Sequence, residues 1–242
     1  QCLVGSEMCI RDRYASSKSL SVLIGTAIVM SLALVVTKAL AKNSEDSKLL
    51  FVNSYYIIIR NFFITLLILF PVTLLFQRDF SMTALFLMGF VFNELIHVAL
   101  AFFQSRGDFV TSSKQIFART LLYGIGAWII VLQGFSIIFL IVFQVFILFL
   151  FFIIAHVSIP KNEKIFKTTS TPNVKTNLQK SGKKMVLTTF SSALISELDI
   201  VLLGLFYSGS VLGVLAWSRR ILEIISKIPV SYTHLRAHET LL

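Results

Sequence analysis

Apolar residues fall in long runs along this chain, and short polar stretches separate each run from the next. A helix of about 20 apolar residues is long enough to cross the hydrocarbon core of a bilayer. The runs therefore predict an all-α fold, a polytopic transmembrane helix bundle of about seven spans. The predicted spans are Leu20–Leu40, Tyr55–Phe76, Met82–Phe103, Ile116–Leu132, Phe135–Val157, Met185–Tyr207 and Val211–Val230.

The two ends of the chain encode one another on opposite DNA strands. One back-translation of the tail, Val230–Thr240, has a complementary strand that reads CLVGSEMCIRD, the sequence that begins at Cys2. A sequencing adapter at both ends of a DNA insert produces this reciprocity, so residues 1–13 and 230–242 are excluded from the fold argument. The natural chain is then expected to be an internal fragment of a longer protein, covering residues 14–229, and both cysteines lie outside it.

The composition agrees with a membrane protein. Hydrophobic residues make up 56% of the chain, 23 residues are Phe, and the mean hydropathy is +0.83. Soluble domains average roughly 45–50% apolar residues. The sequence carries no Gly-rich phosphate loop, no zinc-binding helix motif and no nucleophile elbow. We therefore expect a membrane protein that is not an enzyme, needs no cofactor or metal, and binds no nucleic acid.

Basic residues predict how the chain is threaded. Residues 158–184 hold seven lysines and one acidic residue, and basic loops of membrane proteins stay in the cytoplasm. Counting back two spans at a time places the basic loops Gly107–Gln115 and Lys42–Leu50 on the same side. The domain plan is therefore five spans in residues 14–157, a cytoplasmic Lys-rich linker in 158–184, and two helices in 185–229. The linker is expected to be a solvated connector, and it can also contact anionic lipids, a contact worth about 1 kcal/mol per Lys.

A polar stripe runs along the sixth predicted span. Thr189, Ser192, Ser196 and Asp199 are spaced i, i+3, i+7 and i+10, which places them on one face of a helix. Hydroxyls beside a single acid favour a hydrophilic stripe that lines a cavity, because ionisable groups in lipid usually face polar space. The alternative is hydroxyl packing between membrane helices. Glu197 lies on another face and needs a separate partner.

Glu94 and His97 lie in the middle of the third predicted span, next to Asn93. The spacing i, i+3 brings the two side chains together on one face, and such a pair can relay protons or couple ions. A polar contact between helices is the alternative. A metal site would need more ligands than these two side chains supply.

Two arginines inside predicted spans are candidates for binding an anion. Arg60 lies in the second span and Arg220 in the last, and the planar guanidinium binds phosphate oxygens in a bidentate way. The alternative is that their charged ends reach the membrane surface. Charged neighbours of Arg220 form the i, i+4 pairs Arg219–Glu223 and Glu223–Lys227, which make a charged span tolerable.

One stretch resembles a known family. Asp199, the LLG at Leu202–Gly204, Gly213 and Arg220 are similar to the start of the second lobe of Wzx-like polysaccharide flippases, in the MOP exporter superfamily. Elsewhere, VVTKALAK at the end of the first span and the Arg106–Gly107 turn also resemble this family. The resemblance implies part of a two-lobe transporter, in which the visible spans correspond to the second through eighth helices.

The resemblance implies a function and roles for the candidate residues. A flippase would move lipid-linked oligosaccharide or polysaccharide precursors across a bacterial-type cytoplasmic membrane by alternating access. Its partners would be the glycan lipid, membrane lipids and glycan-assembly proteins. A cation or multidrug antiporter of the same superfamily and a membrane-embedded glycan polymerase are the alternatives. The cavity candidates are Arg60, Arg220, Ser192, Ser196 and Asp199, and the ion-coupling candidates are Glu94, His97 and Asp199.

Overall fold

The computed structural model describes residues 6–29, 32–42, 47–75, 80–159 and 172–206, together with 214–216, 218–219 and 221–222. The regular secondary structure in these ranges is α-helical, as the apolar runs predict. The helices are α1 (Ser6–Val29), α2 (Leu32–Lys42), α3 (Ser47–Leu75), α4 (Phe80–Ser105), α5 (Phe109–Leu132), α6 (Ile137–Ser158) and α7 (Pro172–Phe206).

The helices provide six segments that are long and apolar enough to cross a membrane, and the first of these segments includes residues of both α1 and α2. This confirms the multi-pass prediction. They are Tyr14–Ala41, Leu50–Pro71, Phe80–Ser105, Phe109–Leu132, Ile137–Ser158 and Lys180–Leu203. The seventh predicted span, Val211–Val230, lies mostly outside the described residues. The second half of the predicted linker is helical, because α7 begins at Pro172 and continues into the last of the six spans.

The fourth span begins earlier than the expected Ile116. The structure starts α5 at Phe109, where the Asp108 carboxylate caps the helix by accepting a hydrogen bond of 3.1 Å from the Thr111 backbone N–H. Hydrogen bonds from Thr111 hold the pKa of Asp108 below its ordinary value. Arg119 therefore lies ten residues after the first residue of α5, about 15 Å along the helix axis, and not at its flank.

Helices α5 and α6 are joined by a short turn at Gly134. The Gln133 N–H donates to Ile129 O at 3.1 Å and the Phe135 N–H donates to Ile130 O at 3.2 Å. Gly134 has φ of +70°, a conformation that glycine adopts without the steric penalty of a Cβ. This tight connection makes α5 and α6 adjacent.

Helix α4 lies at the centre of the bundle and packs against α2, α3, α5 and α6. Four consecutive residues of α4, Val98 to Ala101, are 0% exposed, which is the pattern of a helix buried on all sides. Large apolar side chains on the peripheral helices remain exposed, among them Leu67 of α3 and Trp128 of α5. In a membrane protein these exposed apolar side chains face lipid.

The chain divides into two compact units, each described by itself. Residues 17–198 form the larger unit, which holds most of the core. Residues 1–16 and 199–242 form the smaller one. In the smaller unit, Ala15 and Ile200 are buried together against Leu203 and Leu215.

Candidate functional site

The larger unit contains a cavity of about 260 Å³ between α1, α4, α5 and α6. Among the residues that the structure describes, its lining includes two cations and no carboxylate, so we call it the cationic cavity. The polar side chains of the lining are Lys18, Ser21, Asn93, Arg119, Thr120, Tyr123 and Gln144. The Ser21 hydroxyl lies within hydrogen-bond distance of two carbonyl oxygens beside the cavity, Ser17 O of its own helix at 2.7 Å and Thr83 O of α4 at 2.9 Å.

Arg119 connects two walls of the cationic cavity. Its Nη1 atom on α5 donates to Asn93 Oδ1 on α4 at 2.9 Å. The sequence did not predict this role, because a span that begins at Ile116 places Arg119 only three residues from its start. Asp at the position before an apolar helix is a helix-start signal. Reading Asp108 in that way would have placed Arg119 inside the membrane.

A second cavity, of about 370 Å³, lies between α1, α2, α4 and α7. Glu94 and His97 both line it, as do Thr26, Thr37 and Thr189. We call it the Glu94 cavity. The structure thus brings the two predicted ion-coupling residues into one polar space.

Hydroxyl groups of the Glu94 cavity are held by their own helices. Thr26 donates to Leu23 O at 2.8 Å, and Thr37 donates to Ala33 O at 2.9 Å. A hydroxyl that donates in this way keeps oxygen lone pairs that can accept a hydrogen bond. The threonines of this lining are therefore suited to face a protonated group or a cation.

Phe90 lies where the two cavities approach one another, because it lines both. Along α1, Lys18, Ser21 and Val22 line the cationic cavity, and Thr26 lines the Glu94 cavity. The same order holds along α4, so the two cavities occupy opposite halves of the larger unit. Arg119 is nevertheless close enough for its charge to act on both Glu94 and His97.

The ring of Phe90 packs directly on the backbone of α1. A Cβ atom built on Gly25 would lie 2.4 Å from Phe90 Cδ1, far closer than a van der Waals contact. Glycine at this position is therefore what allows the ring to lie between the cavities.

Of the four residues in the predicted polar stripe on α7, only Thr189 lines one of these two cavities. Thr189 lines the Glu94 cavity and donates to Met185 O at 3.0 Å. Ser192 is exposed, and Ser196 donates to Ala193 O of its own helix at 3.1 Å. The linings of the two cavities include neither serine.

Asp199 belongs to the smaller unit and forms an ion pair there. Its Oδ1 atom accepts a hydrogen bond from Arg219 Nη1 and another from the Ile200 backbone N–H. Arg220, the predicted anion-binding residue of this region, and Glu223 lie outside the described residues. Glu197, on a different face of α7, is buried.

Arg60 makes a local contact. Its Nη2 atom donates to Asn61 Oδ1 at 2.9 Å, and the Asn61 side chain in turn donates to Ile28 O at 3.0 Å. This arrangement ties α3 to α1, and neither cavity lining includes Arg60. Of the arginines in the described spans, Arg119 is the one that lines a cavity described above.

Within the part of the chain that the structure describes, no group of three or more His, Cys, Asp or Glu side chains is placed to hold a metal ion. Comparison with protein-family models, with curated proteins and with solved structures finds no match to this chain. A function for this chain is therefore inferred from its own residues and from the resemblance to polysaccharide flippases.

Proposed function

We propose that this chain is part of a transporter that flips lipid-linked oligosaccharide or polysaccharide precursors across a cytoplasmic membrane by alternating access. The observation that carries the proposal is that Arg119, Glu94 and His97 lie within membrane-length helices and line cavities. Ionisable groups at this depth are costly in lipid, and they usually mark a substrate or ion path.

An anionic cargo is supported by the charges of the cationic cavity. Lys18 and Arg119 are the charged residues of its lining in the described part of the chain, and a cavity with one sign of charge concentrates ligands of the opposite sign. A lipid-linked glycan carries its negative charge on a pyrophosphate. The resemblance to polysaccharide flippases favours the same class of cargo.

The coupling ion belongs to the Glu94 cavity in this proposal. Glu94 and His97 are one helical turn apart on α4 and both reach the same space. A carboxylate and an imidazole can exchange a proton with water that enters the cavity. Arg119 lines the cavity proposed to attract the cargo, and its charge also acts on Glu94 and His97. A change at one cavity would therefore alter the electrostatic environment of the other.

A glycan-export assay tests the proposal. The complete reading frame that contains this chain is expressed in cells whose export of one lipid-linked glycan depends on it. Arg119→Gln should lower export by at least about tenfold, because hydrogen bonds from a charged group contribute about 1.5–3 kcal/mol. Lys114→Gln removes the same charge from an exposed position on the same helix and should leave export within about twofold of wild type.

The result that contradicts the proposal is unchanged export in both Arg119→Gln and Glu94→Gln, with protein levels equal to wild type. Arg60→Gln and Arg220→Gln, measured alongside, test the two arginines that the resemblance implies. Loss of export in Arg220→Gln would add Arg220 to the residues that the cargo requires.

A cation antiporter of the same superfamily is the second candidate. The observation that favours it is the carboxylate of Glu94 in the larger of the two cavities. An antiporter of this kind would extrude a cationic dye from cells, and Glu94→Gln would abolish that efflux whereas Arg119→Gln would not.

A further inference from the structure

Helix α7 has one face that stays exposed along its membrane-length segment. The side chains of this face share an arc of about 120° around the helix axis, and we call them the α7 face: Lys180, Lys183, Leu187, Ser191, Ile195 and Leu198. On the opposite side of the helix, Leu178, Gly182 and Ala193 are buried, and Leu178 belongs to the main hydrophobic core. The burial of that side leaves the α7 face turned away from the core.

The α7 face changes from charged to apolar along the helix. Lys180 is the first residue of the membrane-length segment, and Lys183 lies about one turn further on. Leu187 and Ile195, which follow on the same face, are 73% and 81% exposed; at a rise of about 1.5 Å per residue, Ile195 lies about 18 Å beyond Lys183. A phospholipid with an anionic head group has the same order of charged and apolar parts, because its phosphate lies at the membrane surface and its acyl chains run inward.

The two lysines have no acid nearby on their own helix. The first acidic residue of α7 is Glu197, fourteen residues after Lys183, and it is buried. Side chains three residues apart on a helix are neighbours, so Lys180 and Lys183 can both reach one phosphate group. An anionic leaflet attracts lysines at the end of a membrane helix.

Helix α5 offers a comparison with a different charge balance. Lys114 is exposed near the start of α5, and Phe117, three residues later, is 68% exposed. The charge of Lys114, however, acts on the Asp108 carboxylate, and the two together lower the pKa of Asp108 with the hydrogen bonds from Thr111. This lysine is thus a single cation with an acid beside it, and we expect it to attract an anionic lipid less strongly than the pair on α7.

From this arrangement we propose that the α7 face binds an anionic phospholipid of the surrounding membrane. The head-group phosphate lies at Lys180 and Lys183, and an acyl chain lies along Leu187 and Ile195. All of these residues belong to the larger unit. The site goes beyond the proposed function, because its ligand is a membrane lipid and not the cargo.

Quenching of a fluorophore on the α7 face tests the site. The complete protein, with its other cysteines replaced by serine, carries a bimane label at Leu187→Cys in phosphatidylcholine vesicles. Nitroxide-labelled phosphatidylglycerol and nitroxide-labelled phosphatidylcholine are compared as quenchers. The anionic lipid should bind beside the label at least about fivefold more tightly than the zwitterionic lipid, and Lys180→Gln together with Lys183→Gln should bring this ratio to about one.

Two controls separate charge from other effects. A label at Phe117→Cys, beside Lys114 on α5, should give a ratio within about twofold of one. Lys180→Arg together with Lys183→Arg keeps both charges and should keep the preference. Salt at about 1 M should lower the preference of the wild type, because salt screens exposed charges.

Equal binding of the two lipids beside the Leu187→Cys label, or a preference that survives both glutamine substitutions, would overturn the site. Weak quenching by both lipids would also overturn it, since it would show that another helix or a second copy of the chain covers the α7 face. If the glutamine variant does not reconstitute, the salt titration decides, and a preference that salt leaves unchanged counts against the site. Loss of the lipid site would leave the proposed transport standing, because the export assay measures the cargo and not this lipid.

Discussion

The contact between Gly25 and Phe90 gives a sharp prediction about packing at the boundary of the two cavities. A methyl group at Gly25 would lie 2.4 Å from Phe90 Cδ1 and 2.8 Å from both Cε1 and Cγ of the ring. Real Cβ atoms do not approach carbon this closely, so Gly25→Ala must displace the ring or separate α1 from α4.

The size of the effect follows from two opposing terms. Overpacking of a well-packed core costs about 1–3 kcal/mol, whereas replacing glycine by alanine inside a helix gains about 1 kcal/mol. Gly25→Ala should therefore lower the free energy of unfolding by about 0–2 kcal/mol. In a Phe90→Ala background the ring is absent, so the same change should raise it by about 1 kcal/mol.

A double-mutant cycle measures the difference. The free energy of unfolding is obtained for the four proteins in mixed micelles of mild detergent and dodecyl sulfate, and the coupling between the two sites should be about 1–3 kcal/mol. Gly124→Ala is the matched control, because a Cβ there meets nothing within 4 Å and should stabilise by about 1 kcal/mol. The same effect of Gly25→Ala in both backgrounds would refute the close packing of Phe90 on α1.

Two further predictions concern the connections at the ends of α5. Gly134→Ala should destabilise by about 1–2 kcal/mol in the same unfolding assay, because φ of +70° is unfavourable for a residue with a Cβ. Gly134→Asn should recover part of that loss, and an alanine variant as stable as wild type would contradict the turn geometry. The pKa of Asp108 is lowered in the folded protein, so its cap stabilises above the unfolded pKa of about 3.9 and is lost as pH falls through the folded value. The free energy of unfolding of the wild type should thus exceed that of Asp108→Ala at pH 7 and approach it below about pH 4. If the difference between these two free energies stayed constant down to pH 3, the carboxylate of Asp108 would not be the cap.

The sequence determined the fold class and most of the spans because a bilayer leaves the backbone few choices. Backbone N–H and C=O groups cannot bond to water in the hydrocarbon core, so each long apolar run must be a helix. Six of the seven predicted runs are membrane-length helices in the structure. Helix α5 begins before the predicted start at Ile116. The charged residues Lys114 and Arg119 interrupt the apolar pattern of its first turns, whereas the cap at Asp108 starts the helix at Phe109.

Only the tertiary structure decided which polar side chains share a cavity. Arg60 and Arg119 are both single arginines in apolar helices, and their sequence surroundings do not separate an anion site from a local contact. The structure turns Arg60 toward Asn61 and Arg119 across to Asn93 of another helix. Helices that are apolar on almost every side, such as α6, carry no stripe that sets their rotation. Their rotation is set by packing against neighbours that are distant in the chain, and that packing decides what each cavity contains.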